Sequence, residues 1–174
     1  MKRVSSSLVA LAIATTASAT GVTPTLVRAH QTIVTAPVDA TAMTLAALRY
    51  ANFWNTGNEA LARAALAPDF VDHTPPPGRV PGVEGALAAS RNFRAAVPDL
   101  SCTVEQLIVA GDRVVSHLRF RGHFTGRFGD RQGHGQPVDF IATDIYRIVD
   151  GRIADNWHLE DNLTLLKQLG VVAP

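Results

Sequence analysis

The residue of this chain best suited to proton chemistry is Asp144. It falls in an alternating run in which Phe140, Ala142, Asp144 and Tyr146 share one face of an expected strand. Its oxygens would then lie among apolar side chains. Desolvation there disfavours the charged form, which suits a group that takes a proton beside a carbonyl and returns it elsewhere near neutrality. Ile141 and Ile145 make the opposite face apolar as well. Parity therefore leaves open which face is inward, and an ion pair with Arg119 or Arg121 is the alternative role for Asp144.

Three histidines could assist it. His73 follows a strand-like piece and precedes a proline turn, His123 sits beside Gly122 where a strand can bend, and His134 lies among glycines. A neutral imidazole in any of these places could orient Asp144 or hydrogen-bond a substrate carbonyl, and each could equally be an edge or surface histidine. His30 and His117 read as structural. Three histidines and a carboxylate invite a metal reading, but the chain has no His-x-His or His-Glu-x-x-His spacing, so no metal is expected. His158-Leu159-Glu160-Asp161 is a weak signal by itself. Trp54 and Trp157 could floor and wall a cavity for a flat aromatic molecule, although Met43, Tyr50 and Trp54 also recur at core-helix spacing. With His73, Phe120 and Tyr146 they make up the expected substrate-binding set.

Other chemistries are excluded by what the chain lacks. There is no Gly-x-Ser-x-Gly elbow, and Gly126, Gly129, Gly133 and Gly135 lack the strand-then-helix setting of a dinucleotide loop. The single cysteine, Cys102, excludes an internal disulfide and reads as a small buried hydrophobe.

These groups need a scaffold. Asp39 suits an N-cap before Met43, Ala47, Tyr50 and Trp54, and Gly57 stops that helix. Asn58 can cap a second helix carrying Leu61, Ala65 and Leu66, followed by an extended Asp69–His73. Pro81 opens a third helix with Val83, Leu87, Ser90, Phe93 and Val97 on one face, closed by Pro98. From Leu100 the period becomes two, with Leu100, Cys102, Val104, Gln106 and Ile108 on one face. Gly111-Asp112 and Asp150-Gly151 suit tight hairpin turns, and Thr125 to Pro137 reads as a mobile loop between the long strands. Asp161 caps a last helix carrying Leu163, Leu166 and Leu169, with Gly170 as its stop. This order is α+β with the helices on one face of a curling antiparallel sheet, and the cavity between them is the default ligand site.

The 174 residues suffice for one domain with a continuous core, and 47% hydrophobic content excludes disorder. Residues 1–19 have the pattern of a secretory signal: Met1-Lys2-Arg3, an apolar Leu8 to Ala14, then Ala17-Ser18-Ala19 for cleavage. The apolar run is too short to span a bilayer, so the expectation is an exported protein rather than an integral membrane protein. Cleavage after Ala19 lowers 16 bases to 14 against 15 acids, a net −1 that argues against nucleic acid as partner. Residues 20–37 read as a linker and 38–174 as the domain.

Several of these residues together resemble a known family. His73 in Phe70-Val71-Asp72-His73, the Arg121-Gly122-His123 step, Asp144-Ile145-Tyr146-Arg147 through Asp150-Gly151-Arg152-Ile153, Trp157, Asp161 and Gln168-Leu169-Gly170 look like the SnoaL-like polyketide (ester) cyclases. The likeness runs from Asp39 to Gly170. It implies a nuclear transport factor 2-like fold, a cone-shaped curved antiparallel sheet packed against three to four helices. It also implies a homodimer, a small apolar or aromatic ligand, and cofactor-independent ring closure by intramolecular aldol condensation. The acid/base aspartate of that reaction corresponds to Asp144, with His134 and His123 as its candidate helpers. Two features depart from the family: Gln132–Pro137 stands where members often carry Pro-Thr-Gly, and the export signal separates this chain from cyclases that work beside cytoplasmic synthases. A non-catalytic secreted binder of small molecules is the alternative on the same fold.

Overall fold

The structure, a computed structural model, describes residues 29, 32–34 and 40–173. The expected signal segment, most of the linker and the Asp39 cap lie outside the described residues. Helices α1 (Ala40–Thr56), α2 (Glu59–Ala65), α3 (Gly82–Ala96) and α4 (Asn162–Gln168) accompany strands β1 (Thr32–Val34), β2 (Leu66–Asp72), β3 (Ser101–Ala110) and β4 (Arg113–Phe124). The strands continue with β5 (Arg127–Phe128), β6 (Arg131–Gln132), β7 (Gln136–Val149) and β8 (Arg152–Glu160).

The main sheet has six strands in the order β1-β3-β4-β7-β8-β2. Its four central strands are antiparallel, joined by the hairpins the turn residues demanded. Asp150 (φ 49°) and Gly151 (φ 70°) both take the left-handed conformation that a two-residue turn requires. The edges are parallel: β2 runs beside β8, and Thr32–Val34, inside the expected linker, add a short strand beside β3. The Thr125–Pro137 segment is a correction to the loop expectation, since β5 and β6 pair within it. The Thr125 and Gly126 N–H groups donate to the Ala96 carbonyl at 3.2 and 2.9 Å. A Cβ at Gly126 would sit 1.8 Å from the Ala95 carbonyl oxygen, so only glycine permits this close docking on the end of α3.

Strict alternation is interrupted in three places, in β2 between Leu66 and Val71, in β8 at Ala154, and in β3. A bulge between Val104 and Gln106 shifts the phase of β3, so Leu107 and Val109 turn inward in place of the expected Gln106 and Ile108. The extra residue keeps a polar side chain out of the core and bends the strand. The other boundaries move little. Leu66 begins β2 instead of ending α2, α3 stops at Ala96 before Val97, and Leu163 faces solvent while Leu165 and Leu169 are buried.

One continuous core fills the space between α1 and the inner sheet face, with Tyr50, Phe53, Val104, Leu118, Phe140 and Tyr146 among its members. Each such side chain fully removed from water contributes about 1.5–3 kcal/mol. The outer face leaves Ile141 and Ile145 each 42% exposed, whereas Asp144 is 3% exposed. Parity is thereby settled: the face that holds Asp144 is the inner one.

Candidate active site

Strand register builds the site. Asp144 on β7 lies directly opposite His158 on β8, and Tyr146 lies opposite Asn156. Cross-strand neighbours on one face are close enough to bond, and their diagonals come within reach of longer side chains. The Asp144 carboxylate accepts three hydrogen bonds: from the Tyr146 hydroxyl to Oδ2 at 2.9 Å, and to Oδ1 from Asn156 Nδ2 at 3.3 Å and His158 Nδ1 at 2.9 Å. A carboxylate offers about four lone-pair positions, so Oδ1 is fully engaged and Oδ2 keeps one position free. Oδ2 is therefore the oxygen able to take a further proton.

His158 bridges two acids, since its Nε2 stands 3.1 Å from Glu160 Oε1. Burial by itself lowers the imidazole's proton affinity, but the Asp144 and Glu160 carboxylates outweigh it and push the pKa up to about 10. At neutral pH the ring is an imidazolium that donates from both nitrogens. Burial, reinforced by the Asp144 charge, holds the Tyr146 hydroxyl well above its ordinary range, so it stays a donor. Tyr50 is shifted the same way for the same two reasons.

An aromatic-walled cleft opens over this group. Its lining includes Trp54, Phe93, Phe120 and Phe140 on the apolar side and Asp144, Asn156, His158 and Glu160 on the polar side, with Asp72 and Arg79 at its margin. Phe120 and Phe140 stack at 5.0 Å, and Trp54 meets Phe120 edge-on at 6.1 Å. The cleft holds about 460 Å3 of empty space counting its mouth. A neighbouring hollow of about 510 Å3, lined by Phe70, Val80 and Pro81, shares Asp72, Arg79 and Ala86 with it. The Arg79–Asp72 ion pair, 3.3 Å, stands between the two.

The expected site residues divide into two groups. Asp144, Trp54 and Phe120 line the cleft, and Tyr146 is bonded to Asp144 beneath it. His73 and Trp157 do not join them. They stack on each other at 4.4 Å and 5°, and His73 Nε2 meets Asp155 Oδ1 at 2.7 Å. The reason is parity, because Trp157 lies between Asn156 and His158 and so points to the opposite face of β8. His123 pairs with Asp99 at 2.7 Å with its side chain 61% exposed, and His134 is exposed, its N–H donating to Gln136. His123 is seven residues along β4 from Ser116, the partner of Asp144, which is about 23 Å of extended chain. The ion-pair alternative for Asp144 is not what the arginines do: Arg119 and Arg121 both bind Asp139.

Sequence reasoning missed His158, Asn156, Glu160, Tyr50, Phe93, Asp72 and Arg79. The alternation of Asn156, His158 and Glu160 along β8 was legible, but the two-residue turn alone would set Asp144 opposite Trp157; a bulge at Ala154 shifts the register by one residue and brings His158 there instead. Among the described residues, no group of three or more His, Cys, Asp or Glu is gathered to hold a metal ion. Nor is any described helix long and apolar enough to cross a membrane.

Solved structures share this architecture. A provisionally named polyketide cyclase from Bacillus cereus is 39% identical, covering 86% of this chain and 97% of its own, with a TM-score of 0.76. TsrD from Streptomyces laurentii is 30% identical over 78% of this chain and 99% of its own, with a TM-score of 0.70. IdmH, a provisionally named polyketide cyclase from Streptomyces antibioticus, is 30% identical over 75% and 99%, with a TM-score of 0.66. No protein of curated function matches. The profile of the SnoaL-like polyketide cyclases matches residues 44–169, nearly the whole described domain, and the chain belongs to that family.

Proposed function

We propose that this protein catalyses a cofactor-independent proton transfer, ring closure by intramolecular aldol condensation or a related isomerisation, on a small apolar polyketide-like molecule. The observation that carries the reading is a buried carboxylate with one unfilled lone pair beneath an aromatic-walled cleft. Asp144 Oδ2 removes a proton from the carbon beside a substrate carbonyl, leaving an enolate. The enolate carbon attacks a second carbonyl of the same molecule, so one C–C bond forms. The resulting alkoxide takes the proton back from Asp144. Every atom of the substrate is retained in this addition and no electron is exchanged, so it balances without a co-reactant; completing a condensation releases the new hydroxyl with an adjacent hydrogen as water. The imidazolium of His158 supplies positive charge beside the site while the enolate exists.

The measurement is proton exchange at the methyl group of 6-hydroxy-2-acetonaphthone in D2O, followed by NMR. Wild-type protein is expected to exceed the buffer rate. Ligand binding without exchange would sink the catalytic reading and leave a non-catalytic binder of the same cleft.

We further propose that the chain is exported, supported by the basic start, apolar run and Ala17-Ser18-Ala19 of residues 1–19. Amino-terminal sequencing of protein collected outside the cytoplasm is expected to begin at Thr20, and an intact Met1 on a purely cytosolic pool would refute export.

A further inference from the structure

We propose that Asn156 is a specificity-determining residue: its side-chain carbonyl accepts a hydrogen bond from a hydroxyl of the ligand, and the ligand that carries it is uncharged. The inference rests on the reading that the aromatic-walled cleft is the ligand site. Asn156 is 4% exposed and lines that cleft. Its amide has one orientation compatible with its neighbour. The Asp144 carboxylate can only accept, so Nδ2 must face it, as the 3.3 Å contact shows, and Oδ1 is turned away. That Oδ1 is buried and has no hydrogen-bond partner within the protein.

A buried acceptor left unpaired is costly, and an amide held at its nitrogen end cannot rotate to relieve it. The hydroxyls of Ser90 and Ser116 are also buried without partners, but neither lines the cleft. Among the described residues with a buried side-chain atom that has no hydrogen-bond partner, Asn156 is the one that lines the cleft, and it does so beside Asp144. The nearby polar groups are already engaged: His158 at both nitrogens, Arg79 on Asp72, and the Tyr146 hydroxyl on Asp144. A hydroxyl donating to Oδ1 would lie one amide width and two hydrogen bonds from the Asp144 carboxylate, up to about 8 Å.

Charge selects against anions. The cleft carries three carboxylates, Asp72, Asp144 and Glu160, against the two cations Arg79 and His158, and both cations are held by those carboxylates. A ligand carboxylate would bring a further negative charge into a largely desolvated site with no unengaged cation to receive it.

Three probes on one skeleton test this by calorimetric titration: 6-hydroxy-2-acetonaphthone, its methyl ether 6-methoxy-2-acetonaphthone, and 6-hydroxy-2-naphthoate. Wild-type protein is expected to bind the hydroxy ketone at least ~10-fold more tightly than either of the others, the scale of one buried hydrogen bond. In Asn156→Leu the preference over the methyl ether is expected to fall below about threefold. Equal affinity of ether and hydroxyl in the wild type would mean that solvent satisfies Oδ1, and would overturn the proposal. Tighter binding of the naphthoate, or binding of none of the three, would also overturn it. The wild-type comparison stands even if Asn156→Leu does not fold. Because the readout is affinity, a failed preference leaves the exchange experiment on Asp144 intact, and absent exchange leaves the preference measurable.

Discussion

Asp144→Asn is expected to slow turnover by at least ~100-fold, the loss typical of removing a general acid/base, while ligand affinity stays within a few-fold of wild type. The amide is nearly isosteric with the carboxylate, so the cleft keeps its shape and its aromatic wall of Trp54, Phe120 and Phe140. What disappears is the lone pair that takes the proton. An amide oxygen can still accept from the Tyr146 hydroxyl, but its NH2 end would face the donors Asn156 Nδ2 and His158 Nδ1. Some loss of stability is therefore expected with the loss of rate. A folded-state check by thermal unfolding, run beside single-turnover kinetics, separates the two effects. Turnover unchanged in a folded Asp144→Asn protein would remove the carboxylate from the mechanism.

The second large effect concerns His158 and alkaline pH. Its folded-state pKa, about 10, lies above the ordinary imidazole value near 6.5, so the fold holds its proton more tightly than the unfolded chain does. The stabilisation from that raised pKa is fully present below about pH 6.5 and is lost as pH climbs through 10. Native stability of the wild type, measured by denaturant unfolding between pH 6 and 10, should therefore decline toward the alkaline end. In His158→Gln that decline should flatten, because glutamine has no proton to lose. At pH 7 the same variant should be less stable than wild type by about 3 kcal/mol, the scale of breaking a buried ion pair and leaving Asp144 and Glu160 facing each other. A wild-type profile flat to pH 10 would contradict the bridging imidazolium.

Much of this arrangement could be read from residue order because its causes are local. Alternation fixed which residues share a face within each regular stretch, and Asp150-Gly151 fixed the hairpin between β7 and β8, although the bulge at Ala154 that sets Asp144 against His158 was not legible. The caps Asn58 and Asp161 and the stops Gly57 and Gly170 placed four helix ends, since each is satisfied within a few residues. Asp161 and Gly170, together with Asp144 to Arg147 and Asp150 to Ile153, also carried the resemblance to the family.

What the chain order could not give depends on contacts far apart in sequence. The burial of Asp144 was undecided because β7 is apolar on both faces; only the packing of α1 against one of them decided it. The bulge in β3 was invisible because a single extra residue has no composition of its own. His73 reads as a cavity residue next to Asp72, yet its pairing with Asp155, 82 residues away, fixes it beside Trp157 on the other side of the sheet. His158 gains its partners in the same way, from a strand register that brings two acids to one ring. The sequence by itself determined the elements and the turns, because those follow from short-range backbone preference and side-chain period, and its family resemblance nominated Asp144 as the candidate acid/base carboxylate. Tertiary structure alone decided which of the six histidines meets that carboxylate, because proximity across a sheet is set by how strands pair and curl and not by distance along the chain.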